Sequence, residues 1–275
     1  MKKLFLIFSL IFLLIITGCS SVKQGMNPIT VNDKQMRAYV KGSGKQTVVL
    51  LSGWGTENPI DDFMPLIDEL SSDYRVVALE YFGYGESNTT EDERSNKAIV
   101  EEIRQALKKL HIEPPYVLMP HSMSGLYSLY YANNYPSEVS AIVGIDASLP
   151  QKQLERWTTE TFEEAKLNKD SDEFNVSMIN QWNKFYDNSK ELENVKYPEN
   201  IPVLSFLATE QIEAVNEMIE SGGMKTSWID INKNVITNSN IQSIEILEGE
   251  HYLHHDQAKK ILEMSKKFIK EKINE

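Results

Sequence analysis

The sequence predicts an α/β fold, in which a mainly parallel β-sheet carries helices on both faces. Short apolar runs alternate along the chain with segments of helical periodicity, as in sheets whose parallel strands are joined by crossover helices. An apolar run that ends at Met119 leads through a tight turn into a helix-forming segment. A charged, aromatic-rich stretch then interrupts the alternation. We therefore expect one main domain over residues 36–275, with a helical insertion at about 149–199.

Each element follows from its hydrophobic pattern. Strands are predicted at 36–41, 47–52, 75–80, 116–119, 139–145, 202–207 and 242–247. Helices are predicted at 63–70, 95–110, 126–133 and 256–272. The helix over 95–110 has the clearest pattern, because Ile99, Ile103, Ala106 and Leu110 fall on one stripe. The insertion is expected to be helical because it shows no strand pattern.

The first residues have the pattern of an export signal. Lys2 and Lys3 precede an almost wholly apolar run over 4–16, which is short for a membrane span. The following Ile-Thr-Gly-Cys sequence, which ends at Cys19, resembles a bacterial lipobox. The resemblance implies that residues 1–18 are a signal peptide and that Cys19 carries the lipid. The protein is then expected to be exported and anchored to the outer face of a bacterial cell membrane.

The alternative is an uncleaved anchor helix with a chance cysteine, but thirteen apolar residues reach only about 20 Å as a helix. Residues 19–35 show no hydrophobic period and are predicted to be a tether. Cys19 is the only cysteine, so no disulfide is expected. A formal net charge of −12 argues against nucleic acid as a partner.

Ser122 lies at the tip of the strand-to-helix turn, between the small residues Pro120 and Ser124. This is the layout of a nucleophile elbow. A serine hydroxyl needs a base within hydrogen-bond reach. His251 follows the last predicted strand just after Gly249, at the strand end where ligand sites of α/β sheets lie.

A zinc site formed by His251, His254 and His255 is possible on count alone. It lacks an acid-bearing partner motif, so we predict no metal and no cofactor. An oxyanion hole needs two backbone N–H groups. The turn Ser52-Gly53-Trp54-Gly55 could bring the Trp54 N–H beside the Met123 N–H. The alternative for this turn is an ordinary glycine turn with a packed tryptophan.

These features together resemble the α/β-hydrolase fold superfamily. The resemblance covers about residue 36 to the C-terminus, outside the insertion. It rests on Ser52-Gly53-Trp54-Gly55, Tyr81-Phe82-Gly83-Tyr84-Gly85-Glu86-Ser87, the Ser122 elbow, Ile201-Pro202-Val203-Leu204 and Gly249-Glu250-His251. It implies an eight-stranded sheet with a helical cap at the insertion.

The resemblance also implies roles for residues. Ser122 would be the nucleophile, His251 the general base and then acid, and Trp54 and Met123 the oxyanion donors. The chain departs from the family pattern at Pro120 and Ser124, where glycine is usual, and at Ser52, where many relatives have histidine.

The acid of the triad is the least clear residue. The family usually places it just after the strand over 202–207, where this chain reads Ala208-Thr209-Glu210-Gln211. Glu210 is therefore the preferred acid. Asp146, which follows the preceding strand at a position that some relatives use, is the second choice.

The predicted function is hydrolysis of a partly apolar carboxylic ester, with an amide as the second choice, through a Ser-His-acid triad and an acyl-enzyme. Serine at the elbow argues against haloalkane and epoxide chemistry, which in relatives needs aspartate there. One alternative is a prolyl-aminopeptidase-like peptidase, whose substrate amine Glu160, Glu163 and Glu164 of the insertion would hold. The other is a catalytically inactive, surface-tethered relative that binds a ligand.

Overall fold

The computed structural model describes residues 22–168 and 172–273. Their strands form one eight-stranded sheet in the order β1-β2-β4-β3-β5-β6-β7-β8. The strands are β1 (Gly25–Val31), β2 (Lys34–Lys41), β3 (Thr47–Leu51), β4 (Arg75–Glu80), β5 (Tyr116–Pro120), β6 (Val139–Ile145), β7 (Val203–Ala208) and β8 (Gln242–Leu247). The β1–β2 and β2–β4 pairs are antiparallel, and the other neighbours are parallel. The predicted fold class is confirmed.

Most helices of the described residues connect these strands, and the last two follow β8. They are α1 (Pro59–Asp62), α2 (Met64–Leu70), α3 (Asn96–Lys109), α4 (Ser124–Asn134), α5 (Pro150–Arg156), α6 (Thr159–Glu164), α7 (Val176–Asn183), α8 (Phe185–Glu191), α9 (Thr209–Glu220), α10 (Trp228–Asn234), α11 (Leu253–Asp256) and α12 (Ala258–Ile273). The sequence did not predict α9 and α10, which lie between β7 and β8.

The core lies on both faces of the sheet, because successive strand residues point to opposite sides. Val49 and Leu51 of β3 belong to the cluster that α3 and α4 cover. Val48 and Leu50 belong to the cluster that α2 and α12 cover. The central strands are buried on both faces, which explains why they appear in the sequence as continuous apolar runs.

Strand β1 falls within the segment 19–35 that the sequence predicts as a tether. All seven of its residues pair with β2 at the edge of the sheet. Only Asn27 and Val31 of this strand are buried. The sequence therefore lacks the apolar–polar alternation from which a strand is predicted. The predicted signal peptide, residues 1–18, and Cys19 lie outside the described residues. None of the helices that the structure describes is long and apolar enough to cross a membrane.

Helices α5 to α8 lie between β6 and β7, in the segment where the insertion is expected. The buried side-chain amide of Gln181 links these helices, called the cap from here on, to the sheet domain. Gln181 of α7 accepts a hydrogen bond from the Tyr84 hydroxyl at 2.5 Å and donates one to the Tyr127 oxygen at 2.9 Å. The cap is therefore held over the carboxyl ends of the strands by directional bonds as well as by apolar packing.

Candidate active site

Ser122 lies between β5 and α4 with a backbone φ of +50°. This left-handed conformation is unusual for a residue with a side chain. Neighbouring backbone holds it: the Ser122 carbonyl accepts hydrogen bonds from the N–H groups of Gly125 at 2.9 Å and Ser148 at 2.7 Å. A strained serine held in this way matches the nucleophile elbow that the sequence indicates.

The residues around the elbow show why it tolerates Ser124. The Ser124 hydroxyl is buried and donates to the Ser52 carbonyl at 2.5 Å, while the Tyr81 hydroxyl lies 2.9 Å from it. The close backbone contact falls one residue later, because a Cβ at Gly125 would lie 2.3 Å from the Ser148 carbonyl oxygen. Gly125 therefore fills the packing role that a glycine at position 124 would have.

His251 follows β8 and reaches back over the elbow. Its Nε2 lies 2.8 Å from the Ser122 Oγ, and its Nδ1 lies 2.5 Å from the Asp146 Oδ2. In the tautomer that these partners require, Nδ1–H donates to the carboxylate and Nε2 accepts the serine proton. The predicted serine and histidine are thus in hydrogen-bond contact.

The acid at His251 is Asp146, which corrects the preference for Glu210. Asp146 is buried after β6, at a backbone φ of +41° that turns its carboxylate toward His251. Glu210 lies in the first turn of α9, where its side chain is exposed. Because α9 begins at Thr209, directly after β7, the chain has no loop there that could direct Glu210 inward.

Two further donors hold the Asp146 carboxylate. Its Oδ1 accepts hydrogen bonds from the indole N–H of Trp228 at 3.0 Å and from the Ala208 backbone N–H at 3.3 Å. Trp228 is not among the residues predicted from the sequence, because α10 carries no recognisable motif. The one available sign of Asp146 was a carboxylate directly after an apolar strand.

Trp54 and Met123 both line the cleft that holds Ser122. Their backbone N–H groups donate to no atom of the described residues. Gly53 allows the turn that contains Trp54 to lie close to Ser122, because a Cβ on residue 53 would be only 2.9 Å from the Ser122 Cβ. The two N–H groups are free to bind an oxygen at the serine, as an oxyanion hole requires.

His121 packs behind the elbow. Its Nε2 donates to the His251 carbonyl oxygen at 3.1 Å, and its buried Nδ1 has no partner among the described residues. Burial and the neighbouring histidines, His251 and then His254, hold its pKa well below the usual value. The ring is therefore neutral and supports the His251 backbone rather than carrying charge.

His254 and His255 do not gather around His251 as a zinc site would require. Their Nε2 atoms lie 2.8 and 2.7 Å from the two carboxylate oxygens of Asp62. Burial opposes ionisation of Asp62, but hydrogen bonds from both histidines hold its pKa below the usual value. Among the described residues these three could hold a metal ion, since their ligand atoms lie within 4.8 Å of one another. Each histidine Nε2 thus pairs with one oxygen of the carboxylate, while the buried Nδ1 of His254 has no partner among the described residues.

The cleft above Ser122 has a volume of about 190 Å³. Its walls combine aromatic rings of Trp54, Trp182 and Phe185 with the polar side chains of Lys152 and Arg156. The glutamates expected to hold a substrate amine, Glu160, Glu163 and Glu164, are exposed on α6 and do not line it. The cleft is therefore small, and Lys152 and Arg156, rather than carboxylates, are the charged side chains that line it.

Comparison with known proteins identifies the fold family. The family model of the alpha/beta hydrolase fold matches residues 46–239, more than half of the chain. The Bacillus subtilis protein "Uncharacterized protein YbdG" is 38% identical over 126 residues, which are 46% of this chain and 39% of YbdG. "Uncharacterized protein YqjL" of the same organism is 21% identical over 222 residues, 79% of this chain and 81% of YqjL.

The chain thus spans about two fifths of the length of YbdG. Among solved structures, epoxide hydrolase VrEH1 from Vigna radiata superposes with a TM-score of 0.65 at 17% identity, over 90% of this chain and 97% of the other. At that identity the similarity shows a shared fold. The family match, the sheet order and the serine turn agree, and this chain belongs to the α/β hydrolase fold family.

Proposed function

We propose that this protein is a serine hydrolase that cleaves a small carboxylic ester through Ser122, His251 and Asp146. The observation that carries the proposal is the chain of two hydrogen bonds, 2.8 Å from the Ser122 Oγ to the His251 Nε2 and 2.5 Å from the His251 Nδ1 to the Asp146 Oδ2. Serine, base and orienting acid are the groups that acyl transfer needs.

In the first half of the reaction, the Ser122 Oγ attacks the ester carbonyl while the His251 Nε2 takes its proton. The Asp146 carboxylate stabilises the imidazolium that forms. The carbonyl oxygen becomes an oxyanion bound by the Trp54 and Met123 N–H groups. The C–O bond then breaks, and the alcohol leaves with the proton from His251.

In the second half, water attacks the acyl-enzyme. His251 takes one proton from the water, the carboxylic acid departs, and the proton returns to the Ser122 Oγ. The product acid ionises in solution. Epoxide opening, the reaction in the name of the Vigna radiata relative, is not proposed here because the sequence has serine at the elbow.

A fluorophosphonate probe tests the proposal, because it labels only a serine that a base has activated. Wild-type protein is expected to react, and Ser122→Ala is expected not to. Absence of labelling together with absence of ester turnover, in folded wild-type protein, would instead favour the inactive ligand-binding alternative.

We also propose that the protein is exported and lipid-anchored through Cys19. Support comes from the sequence alone, with Lys2 and Lys3 before an apolar run and the only cysteine at the lipobox position. In a bacterial host, wild-type protein should incorporate an alkyne-tagged palmitate. Cys19→Ala should not, and labelled Cys19→Ala would refute the anchor.

A further inference from the structure

Lys152 is a buried cation with no counter-ion in contact in the part of the chain that the structure describes. It lies on α5 and is 7% exposed. Its Nζ donates no hydrogen bond and lies within 4.0 Å of no carboxylate among the described residues. Its Nζ lies over the Trp228 ring, 4.8 Å from the ring centroid.

Arg94, another buried cation of the same chain, is by contrast paired with a carboxylate. Arg94 is 1% exposed, and its Nη1 donates to both carboxylate oxygens of Glu102 at 2.6 and 2.8 Å. An unpaired buried charge is costly, since it loses water without gaining a partner. Lys152 is therefore kept at a cost to the free energy of folding.

The neighbouring acids are occupied elsewhere. Asp146 already accepts bonds from His251, Trp228 and Ala208. Glu155, on the same helix as Lys152, accepts bonds from the hydroxyl and backbone N–H of Thr226. Neither carboxylate neutralises Lys152 by contact.

The position of Lys152 gives this charge a use. It lines the cleft with Ser122 and His251, and Arg156, one turn further along α5, lines the same cleft. Arg156 makes no salt bridge with the described residues and packs its guanidinium 4.8 Å from the centre of the Trp157 ring. Two cations that form no salt bridge with any described residue thus line the serine cleft of a protein whose net charge is −12.

We propose that Lys152 and Arg156 form a subsite for a carboxylate of the substrate, so that the enzyme prefers small esters that also carry a free carboxylate. This inference rests on the proposed function and names its substrate class. The anion would supply the counter-charge that Lys152 lacks. Binding would gain from the low dielectric of the cleft, where a charge pair is stronger than in water. The cleft volume of about 190 Å³ limits the substrate to a short chain or a single ring.

Burial is the main reason why the pKa of Lys152 falls to about 8, and the Asp146 charge opposes this effect while Arg156 adds to it. At neutral pH the ammonium is still the major form, which is the form that binds an anion. Groups whose pKa is perturbed by burial and that lie in a cleft cluster at functional sites.

The test compares esters that differ in one charge. Monomethyl succinate and dimethyl succinate place the anion on the acyl side, and 4-acetoxybenzoate and its methyl ester place it on the alcohol side. At pH 7, wild-type kcat/KM is expected to favour the anionic member of at least one pair by tenfold or more.

Lys152→Met should reduce this ratio of kcat/KM values, anionic over neutral ester, at least tenfold. Arg156→Gln should reduce it less because Arg156 is exposed. Lys152→Arg, which keeps the charge, should retain part of the preference.

Lys190→Met is the matched control, because Lys190 is an exposed cap lysine outside the cleft. Its selectivity ratio should equal that of wild type. Equal wild-type rates on both members of both pairs would overturn the subsite while leaving the hydrolase proposal intact. A uniform loss on all four esters in Lys152→Met would also overturn it, since Lys152 would then act only through Asp146.

A wild type that hydrolyses none of the esters and does not react with fluorophosphonate would refute the hydrolase instead. In that case calorimetry with the Ser122→Ala protein still decides the subsite. Monomethyl succinate should bind to Ser122→Ala, and the additional Lys152→Met change should weaken binding at least tenfold. Binding that is unaffected by Lys152→Met would refute the subsite.

Discussion

Trp228 donates its indole N–H to the Asp146 Oδ1 at 3.0 Å, on the carboxylate oxygen that does not bind His251. The two residues are far apart in the sequence, on α10 and just after β6. The bond fixes the rotation of the carboxylate, so that its other oxygen faces the imidazole. The orientation of the Asp146 carboxylate thus depends both on the strained backbone at Asp146 and on the Trp228 side chain from another element.

Asp146→Asn should remove most of the activity. An amide cannot hold the His251 tautomer or stabilise its imidazolium, so kcat should fall on the order of 10⁴-fold. Glu210→Gln is the matched control, and its kcat should stay within about twofold of wild type because the Glu210 side chain is exposed. Ester turnover of the two purified variants decides the acid, and the reverse pattern would restore Glu210.

Trp228→Phe should lower kcat about tenfold with little change in KM, since loss of one hydrogen bond to a carboxylate is worth about 1.5 kcal/mol. The Asp146 carboxylate then orients the His251 imidazole less well, so the loss should fall on the chemical step rather than on substrate binding. Trp157→Phe is the matched control, because the Trp157 indole N–H has no partner among the described residues. A fall in kcat/KM that comes from KM alone, or an equal fall of kcat in Trp157→Phe, would assign Trp228 a packing role only.

The arrangement of Ser122, His251 and Asp146 shows which features of a site can be predicted from a sequence pattern. Ser122 and His251 each follow an apolar strand next to glycine or small residues, and such turns are readable from sequence. The choice between Glu210 and Asp146 depended on whether the chain after β7 forms a loop or a helix. That difference is set by packing between distant elements rather than by any local pattern. Trp228 and Lys152 lie on short helices with no motif, so their roles become visible only in three dimensions.

The lack of a local sequence pattern also explains why the segment 19–35 is predicted as a tether although it contains strand β1. An edge strand needs burial on few of its residues, and in β1 Asn27 and Val31 are the buried ones. Strand β1 pairs with β2, with Gly25 opposite Val40 and Val31 opposite Lys34. No apolar run in the sequence predicts this pairing. Central strands such as β3, buried along their whole length, are predicted well for the opposite reason.

Ser124→Ala should cost stability without abolishing the reactive serine. It removes the donor to the Ser52 carbonyl and the partner of the Tyr81 hydroxyl, both buried, so the free energy of unfolding should fall by about 1–3 kcal/mol. Ser128→Ala in the same helix is the matched control, because the Ser128 hydroxyl is buried without a partner among the described residues. Urea denaturation gives the two values, and equal losses would show that the Ser124 bonds contribute nothing.

Lys152→Met should make the protein more stable at pH 7, although we expect it to impair selection of anionic esters. Burial lowers the pKa of Lys152 from 10.5 to about 8, which means that folding disfavours the ammonium. The penalty is fully present below about pH 8, where the lysine is charged in both states, and it fades as the pH rises toward 10.5. The gain in melting temperature from Lys152→Met should therefore be largest at pH 7 and smaller at pH 9.5.

The same titration predicts how the preference for anionic esters depends on pH. Asp146, Arg156 and His251 are the charged and titratable groups around Lys152. Arg156 keeps its charge throughout this range, and His251 serves both members of each ester pair equally. The wild-type ratio of kcat/KM for monomethyl over dimethyl succinate should therefore fall as the pH rises through about 8, as Lys152 loses its proton. Lys190→Met should show the same fall, whereas Lys152→Met should give a low ratio that does not change with pH. A wild-type ratio that stays constant from pH 7 to pH 9.5 would show that Lys152 does not bind the anion.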